Sequence, residues 1–210
     1  LLDGQDGDFF QPLLRLQGPT QALLTAERTA LNFVQRLSGV ATLTAQFVKQ
    51  VADTEVQILD TRKTTPGWRA LEKYAVACGG GTNHRIGLFD QVMIKDNHLA
   101  ALEGDMAEAI RRAREKYPDL KVEAEADTIE QAQAAAEAGA DIILLDNMSC
   151  GDLRQAIELI DGRAETGASG GVTLETVREI AETGVDFISV GALTHSAPSV
   201  DIALDFDQLS

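Results

Sequence analysis

Cysteine is scarce in this chain. Only Cys78 and Cys150 occur among its 210 residues, and they lie far apart in sequence. Two widely separated thiols give neither a disulfide framework nor the close ligand spacing of a zinc site. A reducing, cytoplasmic environment is therefore the simplest expectation.

Positive charge is also scarce. The chain has 18 Lys and Arg against 33 Asp and Glu, which gives a net charge of −15. Nucleic acids and anionic membranes attract proteins with an excess of positive charge. No apolar run approaches the length of a membrane-spanning helix. We therefore expect neither nucleic acid nor a membrane among the partners.

Aromatic residues make up only 5% of the chain, whereas hydrophobic residues make up 44%. A core rich in Ala and Leu suits helices packed on a sheet. Short apolar runs predict strands at 56–60, 91–95, 121–126, 142–146, 163–168 (the weakest) and 187–190. Helical patterns lie at 20–51, 68–78, 100–116, 129–138, 151–160 and 174–183. The alternation predicts an α/β fold, a β/α barrel that could be open or incomplete.

Positive charge is concentrated in one segment, from Asp60 to His98. Between Thr61 and Lys95 there are six Lys or Arg and only two acids. The cations that we expect to bind a ligand are Arg62, His84, Arg85 and Lys95. Arg binds a carboxylate through two parallel N–H bonds, so several such cations suit a ligand with more than one carboxylate. A surface salt-bridge cluster is the alternative, but nearby acids are too few to neutralise it.

Carboxylates end two neighbouring strands of the predicted barrel. In β/α barrels the chemistry lies at the carboxyl ends of the strands. Glu125 and Asp146 could there hold Mg²⁺, which prefers oxygen ligands. They could instead serve as counterions to Lys63 and Arg62. Glu123 competes with Glu125 for the metal role, and spacing alone does not separate the two.

Two glycine-containing loops follow the last predicted strands. One is Ser169-Gly170-Gly171, and the other is Gly191-Ala192, followed by His195. Backbone N–H groups at such helix starts can hold a phosphate. A flexible loop is the usual explanation of one such motif, but two on the last barrel strands predict a phosphate site.

Together these segments resemble the quinolinate phosphoribosyltransferase family of NAD biosynthesis. The matching stretches are ERTALN (27–32), LSGVAT (37–42), DTRKT (60–64), GGGTNHR (79–85), IKDNH (94–98), LDNM (145–148), SGG (169–171) and SVGALTH (189–195). The resemblance implies a reaction at the anomeric carbon of phosphoribosyl pyrophosphate. The ring nitrogen of quinolinate displaces pyrophosphate, and the neighbouring carboxyl group leaves as CO2.

The resemblance also implies a role for each candidate residue. Arg62, His84, Arg85 and Lys95 match the dicarboxylate pocket. The catalytic ribose–pyrophosphate–Mg²⁺ side is matched by Lys63, Glu125 and Asp146. The 5′-phosphate site is matched by Ser169, Gly170, Gly171, Gly191 and His195. Arg28 matches an arginine supplied by a neighbouring subunit, which implies a homodimer or a higher homo-oligomer.

Three segments follow from the resemblance. Residues 1–38 correspond to a truncated remnant of an N-terminal α/β sandwich domain and an interface helix. Residues 39–197 form the catalytic barrel, and residues 198–210 return toward the N-terminal part. The polar segment 162–168, where the family has an apolar strand, predicts a distorted or disordered strand.

Two other functions remain open from the sequence. One is a related phosphoribosyltransferase that acts on another aromatic acid, although the full cation set favours two carboxylates. The other is an inactive anion-binding barrel fragment, which the short N-terminal region suggests.

Overall fold

One sheet of six parallel strands forms the centre of the protein. The computed structural model describes residues 12–206, so expectations about residues 1–11 and 207–210 lie outside the described residues. The strands are β1 (Gln57–Leu59), β2 (Val92–Ile94), β3 (Val122–Ala126), β4 (Ile142–Asp146), β5 (Glu165–Ser169) and β6 (Phe187–Ser189). Their order is β1-β6-β5-β4-β3-β2. Within residues 12–206, β1 and β2 are not paired with each other, so the barrel is open. The predicted α/β fold is confirmed.

Eight helices surround the sheet in the described part of the chain. They are α1 (Thr20–Gln50), α2 (Arg69–Cys78), α3 (Asp96–Ala100), α4 (Met106–Lys116), α5 (Ile129–Glu137), α6 (Cys150–Ile160), α7 (Val177–Ala181) and α8 (Ala192–His195). None of the helices between residues 12 and 206 combines the length and apolar character needed to cross a membrane.

Alternate residues of the strands face two different environments. On β3, Val122, Ala124 and Ala126 are completely buried toward the helices, while Glu123 and Glu125 point the other way. The same period of two places Ile143 and Leu145 of β4 in the core. The main apolar core therefore lies between the sheet and the helices, and the barrel interior combines polar side chains such as Glu123 with apolar ones such as Leu144 and Phe187.

The helix predicted over 100–116 is wrong in one respect, because it is two helices. Glu103 and Gly104 have φ values of 55° and 87°, which a helix cannot accommodate. The side chain of Asp105 then accepts a hydrogen bond from the Glu108 N–H and caps α4. Local turn and capping chemistry overrode the continuous apolar pattern.

Helix α1 continues without a break through Ser38 and Gly39. Gly39 is needed for a close approach. A Cβ atom there would lie 1.9 Å from the carbonyl oxygen of Pro198. The glycine lets the returning C-terminal segment pack directly on α1.

The expected distortion of segment 162–168 is wrong as well. β5 is a regular five-residue strand that pairs with both β4 and β6. The polar Thr166 is accommodated because Asp186 accepts from both its N–H (2.7 Å) and its hydroxyl (2.9 Å). Gly167 leaves room in the interior for Leu144, whose Cδ1 an added Cβ would approach to 3.0 Å.

Candidate active site

A buried polar network fixes the start of the basic segment. Asp60, which directly follows β1, is fully buried, and its carboxylate accepts from Lys73 Nζ and from the His84 N–H at 2.9 Å. Lys73 Nζ also donates to the His84 carbonyl oxygen at 2.8 Å. Burial raises the pKa of Asp60, and the hydrogen bond from Lys73 opposes that rise. The network holds the segment around His84 beside the carboxyl end of β1.

Arg85 is a buried cation without a carboxylate partner. Its side chain donates to the Gln91 carbonyl oxygen (3.3 Å) and to Met93 Sδ (3.1 Å). Among residues 12–206 no acid forms an ion pair with it. Burial lowers the pKa of Arg85, and the nearby positive charge of Arg62 lowers it further. Two guanidinium groups held close together, one of them desolvated, form a site for an anion.

His84 lies next to Arg85 and reaches into the barrel interior. Its Nε2 lies 2.8 Å from Glu123 Oε2, and Gln91 Nε2 donates to the same oxygen at 2.7 Å. His84, Arg85, Gln91 and Glu123 line one cavity of about 190 Å³ together with Leu59, Leu144, Gly167, Phe187 and Ser189. The other residues predicted for the site lie outside this cavity's lining.

The structure separates Glu123 from Glu125. Glu125 pairs with Lys95 Nζ, whereas Glu123 is paired with His84 deeper in the interior. Lys95 was predicted on the dicarboxylate side and Glu125 on the pyrophosphate side, so the structure brings these two halves into contact. His98 accepts from the Lys95 N–H at its Nδ1 (2.9 Å) and is therefore a capping residue of α3.

Asp146 is held at the end of β4 by two donors. The Ser169 hydroxyl donates to Oδ1, and the Asn147 amide donates to Oδ2 at 2.6 Å. Gly170 must be glycine here, because its φ is 94° and a Cβ would lie 2.1 Å from Asn147 Oδ1. The predicted metal carboxylate Asp146 and the predicted phosphate loop are therefore one connected unit.

The second glycine loop adjoins Lys63. An added Cβ on Gly191 would lie 3.1 Å from His195 Nε2 and 3.3 Å from Lys63 Cδ. The Thr194 hydroxyl donates to the Lys63 carbonyl oxygen at 2.8 Å, which ties the loop after β6 to the loop after β1. The structure thus brings together Lys63, predicted on the pyrophosphate side, and Gly191 and His195, predicted for the 5′-phosphate site.

Arg28 lies elsewhere. It is exposed on α1. On the same helix, Arg36 donates to the carbonyl oxygens of Ala197 (2.5 Å) and Thr194, and to Glu72 Oε1 at 3.2 Å. The helix that carries Arg28 is therefore fixed at its middle to the loop that holds His195.

Sequence reasoning missed the supporting residues on α2. Arg69 donates to the carbonyl oxygens of Arg62 (3.3 Å) and Ile86 (3.0 Å). Glu72, which is fully buried, accepts from the N–H (3.0 Å) and the hydroxyl (2.8 Å) of Thr65. With Lys73 they form one helical face that joins the loop after β1 to the segment around His84. The available signal was three charged residues at i, i+3 and i+4.

Comparisons with known proteins agree with this arrangement. The family model described as quinolinate phosphoribosyl transferase, C-terminal domain, matches residues 40–205, and the N-terminal domain of the same name matches residues 2–38. A probable nicotinate-nucleotide pyrophosphorylase (carboxylating) of Bacillus subtilis (strain 168) is 47% identical over 209 residues, which is 98% of this chain and 72% of the relative.

Two more relatives extend the comparison. A nicotinate-nucleotide pyrophosphorylase (carboxylating) of Mycobacterium leprae (strain TN) is 49% identical over 198 residues, covering 93% of this chain and 69% of the relative. The crystal structure of NadC from Streptococcus pyogenes superposes with a TM-score of 0.84 and 48% identity, covering 88% of this chain and 65% of that one.

Proposed function

Because the chain belongs to the quinolinate phosphoribosyltransferase family, we propose that it transfers the phosphoribosyl group of phosphoribosyl pyrophosphate to quinolinate. The products are nicotinate mononucleotide, CO2 and pyrophosphate. The observation that carries this proposal is the buried guanidinium of Arg85, which forms no ion pair with an acid of residues 12–206 and lies beside His84 and within reach of the positive charge of Arg62. Such a site matches two adjacent carboxylates better than one, so quinolinate is favoured over another aromatic acid.

The dicarboxylate side orients the acceptor. Arg62, His84 and Arg85 hold the two carboxylates, and the planar Arg forks fix the plane of the pyridine ring. A fixed ring directs its nitrogen at the anomeric carbon, which converts a bimolecular encounter into a positioned reaction. Lys95, paired with Glu125, stands between this side and the pyrophosphate side.

The second side binds the donor. Lys63 and His195, with the backbone of Gly170, Gly171 and Gly191, supply positive charge and N–H groups for the phosphates. Ser169 completes this set through its contact with Asp146. The cluster of Lys63, Gly191 and His195 supports the assignment.

Glu125 and Asp146 fit Mg²⁺ by the chemistry of their donors. Both are carboxylates near the ends of adjacent strands, and Mg²⁺ bound to a pyrophosphate needs only one or two of them. When bound, Mg²⁺ neutralises charge on the leaving pyrophosphate. The protein's own contribution is to hold the two carboxylates where Ser169, Asn147 and Lys95 fix them.

We further propose that the active unit is a homodimer in which Arg28 enters the partner's site. Its exposure on a long helix supports this role. We place the reaction in the cytoplasm, in line with the scarcity of cysteine.

The decisive experiment measures CO2 released from carboxyl-labelled quinolinate. Release should require both phosphoribosyl pyrophosphate and Mg²⁺, and nicotinate should compete only weakly. The Arg85→Ala variant, purified in parallel, controls for contaminating enzyme. Absence of release from a folded, dimeric sample would refute the proposal and favour the inactive anion-binding barrel.

A further inference from the structure

Glu123 is a buried carboxylate that the reaction outlined above does not use. It is 2% exposed on β3 and lines the cavity inside the barrel. In the described part of the chain, neither Lys nor Arg forms an ion pair with it. A buried charge makes folding less favourable than an apolar side chain of the same size would. Its position therefore calls for a role other than stability.

One Glu123 oxygen supports the ring of His84 directly. Oε2 lies 2.8 Å from His84 Nε2 and also accepts from the Gln91 amide at 2.7 Å. A carboxylate oxygen accepts hydrogen bonds, so Nε2 must carry a hydrogen. This contact fixes the ring plane and leaves Nδ1 as the ring atom available to a ligand.

The same carboxylate supports Arg85 indirectly. The side-chain amide of Gln91 donates to Glu123. The backbone carbonyl oxygen of Gln91 accepts from Arg85 Nη1 at 3.3 Å. Met93, the register partner of Glu123 on β2, accepts from Arg85 Nη2 at its sulfur atom at 3.1 Å. The side chains of His84 and Arg85 are thus both anchored around one acid.

We propose that Glu123 is the positioning residue of the dicarboxylate side, acting through His84 and Arg85. It sets the direction of the two donors that receive the acceptor's carboxylates. This inference rests on the proposed function. It also distinguishes Glu123 from Glu125, which serves the donor side.

The Glu123→Gln variant tests the inference, because Gln keeps the size of the side chain but removes the charge and one acceptor oxygen. Calorimetric binding of phthalate, an unreactive 1,2-dicarboxylate, should weaken about tenfold or more, as expected for a lost charge-assisted hydrogen bond. The KM for quinolinate should rise in parallel, whereas the KM for phosphoribosyl pyrophosphate should stay within about twofold. The thermal midpoint should stay close to that of the wild type, because Gln keeps the size of the side chain and one oxygen that accepts from His84 or Gln91.

The matched control is Glu182→Gln. Glu182 is an exposed acid at the end of α7, outside the cavity lining, where it pairs with Arg178 at 2.7 Å. This variant should bind phthalate like the wild type. Should Glu123→Gln fail to fold, Gln91→Leu provides a substitute measurement, because it removes one of the two donors to Glu123 Oε2 and keeps the backbone carbonyl that accepts from Arg85. It should weaken phthalate binding while leaving the KM for phosphoribosyl pyrophosphate unchanged.

A double-mutant cycle with His84→Ala separates positioning from general destabilisation. In a His84→Ala background, Glu123→Gln should cost less phthalate affinity than in the wild type, because part of its action is through His84. Full additivity, or an equal rise of both KM values, would overturn the proposal while leaving the proposed function intact. A wild-type protein that neither binds phthalate nor releases CO2 would overturn both.

Discussion

Asp60 and Lys73 form a buried ion pair where β1 leads into the basic segment. Lys73 is 3% exposed and Asp60 is fully buried. Removing one partner of such a pair leaves an uncompensated charge, which typically costs about 3–5 kcal/mol. We expect Lys73→Met to lower the free energy of unfolding by this amount in a urea titration. The double variant Asp60→Asn/Lys73→Met should recover much of the loss, and a double variant less stable than the single one would contradict this account.

The loss in free energy of unfolding caused by Lys73→Met should depend on pH. Burial already raises the pKa of Asp60, and Lys73 is the strongest opposing influence, so its removal raises that pKa further. A carboxyl group whose pKa is higher in the folded state favours folding while it is protonated. The deficit relative to the wild type should therefore be small near pH 4, about the unfolded value, and grow toward pH 7. Urea titrations at several pH values check this, and a deficit independent of pH would show that Asp60 is not the group responsible.

Arg85→Ala should raise the KM for quinolinate far more than the KM for phosphoribosyl pyrophosphate. The lost hydrogen bonds to a charged ligand are worth roughly 1.5–3 kcal/mol, which is about 10–150-fold. Steady-state kinetics with each substrate varied in turn measures the split. Arg154→Ala, an exposed arginine on α6, is the control. Equal effects on both KM values would remove Arg85 from the dicarboxylate side.

Asp146→Asn should increase the Mg²⁺ concentration needed for half-maximal turnover while leaving phthalate binding nearly intact. The amide replaces one of the charged oxygens that Mg²⁺ prefers. It also presents an N–H group to Ser169 or Asn147, which now donate to the carboxylate. Turnover is measured across a Mg²⁺ titration, with Asp161→Asn at the end of α6 as the control. An unchanged titration curve would argue against a metal role.

Arg28→Ala and Arg85→Ala should each abolish most activity, and their re-equilibrated mixture should recover part of it. A mixed dimer has one site with both arginines intact. Free exchange makes about half of the dimers mixed, so roughly a quarter of wild-type activity should return. No recovery, with subunit exchange confirmed by mass, would return Arg28 to a purely structural role.

Much of the fold could be predicted from the sequence, because β4 and β6 are apolar segments that each follow a helix-ending glycine, Gly139 and Gly184. β5 was the hardest strand to predict. Its Glu165, Gly167 and Ala168 have little strand propensity of their own, and tertiary partners on β4 and at Asp186 make the strand regular. Local patterns do not contain that information.

The candidate site shows a similar limit. Strand-end position and the two glycine loops indicated Lys63, Gly191 and His195 as separate candidates, and the structure places the three beside one another. Strand-end position did not separate Glu123 from Glu125, because the two residues lie two positions apart on the same face of β3. What distinguishes them is depth in the barrel and the cations that face them, His84 and Lys95. Both depend on how the chain packs around the sheet.

The two faces of β3 have a consequence for how this protein can evolve. Folding depends on the helix-side residues, Val122, Ala124 and Ala126, which are completely buried. Ligand chemistry depends on Glu123 and Glu125, which point away from that core. Substitutions on the interior face can therefore alter what is bound while sparing the main apolar packing. Selection for a new acceptor acid would act on the interior face of β3, where substitutions change folding stability little.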